Sequence, residues 1–353
     1  MNNTREIVVI MGPGRTGTTL MSALLDGHND LTGMPLEIKF FSRAKDNDTI
    51  SNFTHIFLDS KMKFVTTSNE GIDVFNSGRI DFSRVDREKF SNEINLLLLN
   101  NKIVSLGRYI EIIHDLYESC FRGGVRKIIF LKEGNQALIT YHRIVSHFSN
   151  VKFIVLSRNP KDCFTSRKLS ELSKSLTFSG SSLLEFLFAN KKSSFIQFTK
   201  FQLLNLENNK IFFIRYEDLV LNLEKSMENI CEFLNIDYSD SLLMPTTAGA
   251  HWGGNSSSNL AQHVVTSDSI NNYLKHLTDN EVTFIDYYLS KYQALNKYNF
   301  ILTANKLHLL AKLSPHMFPK ISLDYKDFVR PYLRIIRWLK NCIVLSYMAM
   351  VKK

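Results

Sequence analysis

The run Gly12-Pro13-Gly14-Arg15-Thr16-Gly17-Thr18-Thr19 constrains this chain more than any other stretch, because of what flanks it. Residues 6–11 before it form a short apolar run rich in β-branched side chains, the pattern of a buried strand. Residues 20–25 after it open a helix-like segment. A strand, a glycine-rich turn and a helix, in that order, aim backbone N–H groups and the positive end of a helix dipole at one point, which suits an anion. The spacing from Gly12 to Gly17 fits a nucleotide triphosphatase loop, but Thr18 stands where the phosphate-binding lysine of such a loop belongs. Arg15, inside the turn, offers a positive charge and a two-pronged donor for phosphate or sulfate oxygens. Gly14, Arg15, Thr16, Gly17, Thr18 and Thr19 are therefore the first candidate ligand-binding residues. The alternative is an ordinary strand-to-helix turn, against which the density of Gly, Arg and Thr weighs.

Three further apolar runs, residues 127–131, 152–157 and 210–215, read as buried strands. Helical spacing follows in Leu138, Tyr141, Val145 and Phe148, in Leu223, Met227, Ile230 and Leu234, and in Val282, Ile285, Leu289 and Tyr292. Buried strands alternating with amphipathic helices predict an α/β protein with a central parallel sheet covered on both faces. Ligands collect at the carboxyl ends of such strands, so the residues just after each run are where chemistry is expected. Residues 42–92 and 173–182 fit the alternation poorly. They are expected as insertions or loops on the substrate side, or as plain solvent-exposed loops.

With 44% hydrophobic residues in a length of 353, the chain can bury a sizeable core. No stretch reaches the roughly 18 uninterrupted apolar residues of a transmembrane helix, and the polar start leads straight into a strand, so neither a span nor a leader is expected. Cys120, Cys163, Cys231 and Cys342 lie far apart, which predicts buried or incidental thiols in a reducing cytoplasm. The net charge of +9 is unevenly placed: from Phe300 onward ten Lys or Arg stand against two Asp. The body is nearly neutral and the tail is basic.

Residues 8–41, in which the glycine-rich run is followed by Leu24-Leu25-Asp26-Gly27-His28 and then Glu37, resemble the 5'-phosphosulfate loop of the sulfotransferases. The likeness is closest to the branch containing tyrosylprotein sulfotransferases and many bacterial carbohydrate sulfotransferases. It implies a P-loop-like three-layer fold, 3'-phosphoadenosine 5'-phosphosulfate (PAPS) as co-substrate and no metal. The segment from Phe153 to Ser166 is similar to that family's 3'-phosphate motif, which assigns Arg158 and Ser166 to that phosphate. Physically, Arg158 ends a strand, Pro160 suits a first helical turn, and Ser166 faces the same side about two turns on. Arg215-Tyr216-Glu217-Asp218-Leu219 resembles a segment whose tyrosine lies near the nucleotide, although Tyr216 could equally be packing. Lys132 matches the lysine aimed at the transferring group, with Glu133-Gly134 departing from the small residue and proline usual there. In the late loop 249–258, Asn255 and Ser256 are the candidate phosphate contacts, a flexible surface loop being the alternative.

The base implied by the resemblance is an acid shortly after the first helix, which points to Glu37; in the tyrosylprotein enzymes the matching acid lies about two residues nearer the loop. His28 is the competing base, though its place at the end of the helix suits capping or packing. The resemblance covers about residues 5–299, so the expected division is a sulfotransferase domain over 1–299 and a basic helical extension over 300–353. In that tail Arg330, Arg334 and Arg337 share one helical face, and an apolar run closes it, which suits either the surface of an anionic membrane or a docking face on protein. The expected acceptor is a hydroxyl on a saccharide or glycolipid at the cytoplasmic face of a bacterial membrane, with a protein tyrosine or a small alcohol as the alternative and no nucleic-acid partner. A small-molecule kinase or a non-catalytic nucleotide-binding scaffold is the alternative.

Overall fold

The computed structural model describes residues 5–35, 37–59, 72–75, 78–81, 84–121, 126–134, 137–172, 186, 195–252, 254 and 265–300. The chain runs β1 (Glu6–Met11), α1 (Thr18–Asp26), β2 (Leu31–Gly33), α2 (Phe40–Arg43), β3 (Asn47–Thr49), α3 (Ile50–Phe57), β4 (Ile72–Phe75), β5 (Gly78–Asp81), α4 (Arg87–Leu98), β6 (Ile103–Ser105) and α5 (Leu106–Phe121). It continues with β7 (Ile128–Gly134), α6 (Ala137–His147), β8 (Val151–Ser157), α7 (Pro160–Leu172), α8 (Phe195–Asn205), β9 (Ile211–Arg215), α9 (Tyr216–Leu221) and α10 (Leu223–Leu234). A short hairpin of β10 (Thr246–Thr247) and β11 (Ala250–His251) precedes α11 (Tyr273–His276), α12 (Asp279–Tyr288) and α13 (Ser290–Leu295).

The expected parallel sheet is present, with five strands in the order β2-β7-β1-β8-β9. All four strands expected from apolar runs are in it; β2, three residues long at the edge, is the addition. From β1 the chain goes to one side of the sheet and then crosses back to β8 and β9. The order reverses at β1, so the crevice beyond its carboxyl end is the natural ligand position. β1 is buried on both faces, as a central parallel strand must be, and this is why it reads as an unbroken apolar run. Val8 and Ile10 pack with Leu20, Leu24, Ile230 and Leu234 of α1 and α10, while Ile7, Val9 and Met11 face the cluster of Phe53, Phe90, Tyr109 and Ile113.

Residues 42–92 are not merely loops. They contain the end of α2, all of α3 and the start of α4, and Ile50, Phe53, Phe57 and Phe90 are buried there at helical spacing. Truncating one such phenylalanine would cost about 3–5 kcal/mol, so this segment is part of the core. The helix expected through Val282 and Tyr292 is broken at Leu289 into α12 and α13, which with α7 form a third cluster of Cys163, Phe164, Phe284, Ile285 and Tyr292. The segment 173–182 and the basic extension 301–353 lie outside the described residues. Among the described residues no helix is long and apolar enough to cross a membrane.

Candidate anion and nucleotide site

The glycine-rich run turns tightly out of β1. A Cβ on Gly12 would stand 2.6 Å from the Leu156 carbonyl oxygen and 2.5 Å from Thr16 Oγ1, so no side chain fits there. Gly12 N–H donates to the Gly134 carbonyl (3.1 Å), which ties the turn to the end of β7. Thr16 closes it from within, its hydroxyl (2.7 Å) and its N–H (3.3 Å) both donating to the Pro13 carbonyl. Arg15 (φ 73°) and Gly17 (φ 94°) hold left-handed backbone, a strain that non-glycine residues keep chiefly at functional turns. Helix α1 then starts at Thr18 with no side-chain cap on Gly17. The N–H groups of a first helical turn have no acceptor inside the helix, and they point with the dipole at the space over the loop.

Arg15, after β1, and Arg158, after the neighbouring β8, meet at this loop. Arg158 follows β8 and is 7% exposed. Its NH1 donates to the Arg15 carbonyl (3.1 Å) and its NH2 to the Ser269 carbonyl (2.9 Å), while Nε has no partner among the described residues. Arg15 Nε donates to Ser166 Oγ (3.0 Å), which brings together three of the residues proposed for phosphate. Burial, and then the positive charge of Arg158, hold Arg15 below the usual guanidinium value. Among the described residues neither arginine forms a salt bridge. Asp162 acts on Arg158 only beyond salt-bridge distance, and two adjacent, largely enclosed cations with no closer carboxylate are costly unless an anion completes them.

Tyr216 belongs to the same assembly. The Arg158 guanidinium lies 4.2 Å from the centre of its ring, its hydroxyl and Ser269 Oγ are 2.8 Å apart, and a Cβ on Gly17 would fall 2.5 Å from its Cδ2. The aromatic ring is thus both packed and part of the loop's surroundings, so neither of the two expected roles excludes the other.

On the other side of β1, Lys132 Nζ donates to Thr19 Oγ1 (2.6 Å) and stands 3.7 Å from Glu37 Oε1. Lys39 Nζ approaches the other carboxylate oxygen at 3.7 Å. Burial pulls the Lys132 ammonium below its ordinary value, and Glu37 partly restores it. Gly134 has φ 71°, and a Cβ there would lie 2.9 Å from Glu37 Oε1; the departure from proline at this position therefore leaves room for the Glu37 carboxylate. His28 is at the far end of α1, where Nδ1 accepts from Asp30 N–H (3.1 Å) and Nε2 meets the Asp237 carbonyl (2.9 Å). That is the packing role, away from the loop.

Glu133 sits at an irregularity of β7, where Ile10 is opposite Lys132 and Met11 is opposite Gly134. With His114 it lines a cavity of about 20 Å³, room for one water. Burial and the nearby Glu37 push the Glu133 carboxyl up to about 8, so it is neutral at pH 7. His114 Nδ1 pairs with the Ile110 carbonyl (2.7 Å), burial lowers the ring to about 4, and Nε2 has no partner among the described residues.

The fold thus gathers Gly14 to Thr19, Glu37, Lys132, Arg158, Ser166 and Tyr216 around the carboxyl end of β1. Asn255 and Ser256 lie outside the described residues; the hairpin before them is tied by Asp26 Oδ2, which accepts from Thr246 Oγ1 (2.7 Å) and Gly249 N–H (2.9 Å) at the far end of α1. Ser269 and Tyr292 were not foreseen, since a lone serine in a polar loop and a tyrosine at core spacing carry no signal in sequence.

A loop after the first strand, two arginines and a lysine come together at a topological switch point of a P-loop-like α/β scaffold, an arrangement suited to an anion. Residues 8–240 match the sequence model of the Sulfotransferase family, and the chain belongs to that family. No curated protein sequence matches it. Solved structures that resemble it include the sulfotransferase domain from the curacin biosynthetic pathway, at 19% identity over 88% of this chain and 97% of that one, TM-score 0.47. They also include mouse sulfotransferase SULT7A1 complexed with PAP (14% identity, 89% and 88% covered, TM-score 0.43). A third is a sulfotransferase from Alicyclobacillus acidocaldarius (14%, 84% and 97% covered, TM-score 0.43).

Proposed function

We propose that this sulfotransferase takes the sulfuryl group from PAPS and passes it to a hydroxyl of a saccharide or glycolipid. The observation that carries the donor assignment is the pair of a half-buried Arg15 and a buried Arg158, side by side and with no salt bridge to either among the described residues. In this reading the first-turn N–H groups of α1, Arg15, Thr18 and Thr19 hold the 5'-phosphosulfate. Arg158 and Ser166 take the 3'-phosphate, and Tyr216 lies against the nucleotide. The acceptor oxygen forms a bond to sulfur as the bond from sulfur to the 5'-phosphate oxygen breaks, and that electron pair leaves on the phosphate. Glu37 receives the acceptor's proton. Lys132, held by Thr19 at 2.6 Å and by Glu37 at 3.7 Å, offers its ammonium to the charge that shifts between sulfuryl and phosphate oxygens.

The resemblance of residues 8–41 to the branch with many bacterial carbohydrate sulfotransferases supports a sugar acceptor, and the basic extension 300–353 supports work at the inner face of an anionic membrane. Sedimentation of the full chain with anionic but not neutral vesicles, lost on deleting residues 328–353, is the expected result; identical behaviour of both proteins would count against the membrane assignment. Calorimetric titration tests the donor: the expected result is tight binding of 3',5'-bisphosphoadenosine and weak binding of ATP. Preference for ATP would replace sulfuryl transfer with a kinase-type reading.

A further inference from the structure

Arg158 stands one residue beyond the last paired position of β8, where Ser157 is opposite Arg215. Its backbone N–H and C=O have therefore left the sheet ladder and need partners elsewhere. One hydroxyl meets both. Tyr292 Oη accepts from Arg158 N–H (3.0 Å) and donates to the Arg158 carbonyl (3.1 Å), which the Cys163 thiol approaches only at 4.0 Å. Tyr292 is 1% exposed, and burial holds its hydroxyl well above the usual phenol range, so its proton stays in place for the donated bond.

The next residue is held in the same way at one remove. Asn159 N–H donates to Glu217 Oε1 (3.0 Å), and Glu217 Oε2 accepts from Tyr298 Oη (2.9 Å). Both tyrosines come from the region of α13, which is itself anchored: Gln202 and Asn296 exchange amide bonds (3.0 and 3.1 Å), and Lys161 Nζ bonds Asp286 (3.0 Å) and the Asn299 carbonyl (2.8 Å). The Tyr292 ring meets Phe195 edge-on, with centroids 4.8 Å apart. A guanidinium that must meet a phosphate within a few tenths of an ångström needs a backbone that does not drift, and this frame supplies it.

We propose that Tyr292, with Tyr298 acting through Glu217, is a positioning residue of the 3'-phosphate subsite and sets the preference for a 3'-phosphorylated nucleotide. Both residues lie outside the segment 8–240 that matches the family. The inference rests on the reading of Arg158 given above, and the experiment separates the two. Tyr292→Phe keeps the ring and removes only the hydroxyl. Affinities of the full chain for 3',5'-bisphosphoadenosine and for adenosine 5'-phosphate are measured by calorimetry in the wild type, Tyr292→Phe, Tyr298→Phe and Arg158→Ala. The expected result is that Tyr292→Phe loses about tenfold for the bisphosphate and less than about twofold for the monophosphate. Tyr298→Phe should lower the same ratio by less.

A ratio that stays at the wild-type value in Tyr292→Phe, while Arg158→Ala collapses it, overturns the positioning role and leaves the phosphate assignment standing. Equal losses for both nucleotides also overturn it, since they would mark a general structural role. An unchanged ratio in Arg158→Ala means the phosphate assignment itself has failed. If Tyr292→Phe does not fold, Tyr298→Phe decides the matter, and an unchanged ratio there overturns the proposal.

Discussion

One methyl group on Gly17 would test the assembly of the phosphate loop. An alanine Cβ would lie 2.5 Å from Tyr216 Cδ2 and 3.1 Å from Cε2, and the ring cannot yield freely because Arg158 covers it at 4.2 Å and Ser269 holds its hydroxyl at 2.8 Å. Backbone at φ 94° adds a penalty of about 1–2 kcal/mol for any residue with a Cβ, and overpacking adds about 1–3 kcal/mol. Gly17→Ala should therefore destabilise the fold by roughly 2–5 kcal/mol unless the loop and the ring separate. If they separate, Arg158 moves with Tyr216, and a charge-assisted phosphate contact of about 1.5–3 kcal/mol is weakened. Either way, calorimetry should show affinity for 3',5'-bisphosphoadenosine falling about tenfold or more. Gly27, at the other end of α1, is the control: its φ of −75° suits alanine, and the nearest atom to a Cβ is the Ser241 carbonyl oxygen at 3.1 Å. Wild-type affinity in Gly17→Ala, or an equal loss in Gly27→Ala, would refute the reasoning.

Glu37→Gln should keep nucleotide affinity and lose about a hundredfold in turnover, because it preserves shape while removing the base; full activity, with His28→Asn inactive, would move the base to His28. Lys132→Met should lower kcat by about two orders of magnitude with little change in nucleotide affinity, and a near-normal kcat would reduce Lys132 to a strand-end residue. Glu133→Gln should flatten the pH dependence of stability. The carboxyl is raised from 4.5 to about 8, so its favourable contribution is fully present below pH 4.5 and is lost as pH rises through about 8. His114, lowered from 6.5 to about 4, acts in the opposite sense only below 6.5. Between pH 6.5 and 8 the wild type should thus lose up to about 1.4 kcal/mol per pH unit from Glu133 in urea unfolding, and the same slope in Glu133→Gln would contradict the burial argument.

Local chemistry was legible without coordinates. The apolar run of β1, the glycines that its turn requires and the helix after it are decided within a few residues of one another, so their pattern stands in the sequence. The same holds for Arg158, which follows a readable strand and precedes a proline. Helices α3 and α4 are hard to read in the sequence because the buried Phe53, Phe57, Phe90 and Ile94 stand among polar residues and among apolar ones, such as Leu96, that are exposed.

What only the tertiary structure decided is which distant side chains share a bond. The strand order sets β1 between β7 and β8, which is why Lys132 reaches Thr19 on one side while Arg158 reaches Arg15 on the other. Glu37 has no readable tie to β7, yet the glycine at 134 leaves its carboxylate a place beside Lys132. Tyr292 lies 134 positions from Arg158 along the chain, and its spacing reads only as a core residue. A hydroxyl's partner depends on sheet order and helix docking, which involve the whole body; a strand or a turn needs only its neighbours, and that difference in range separates what this sequence determined from what the fold added.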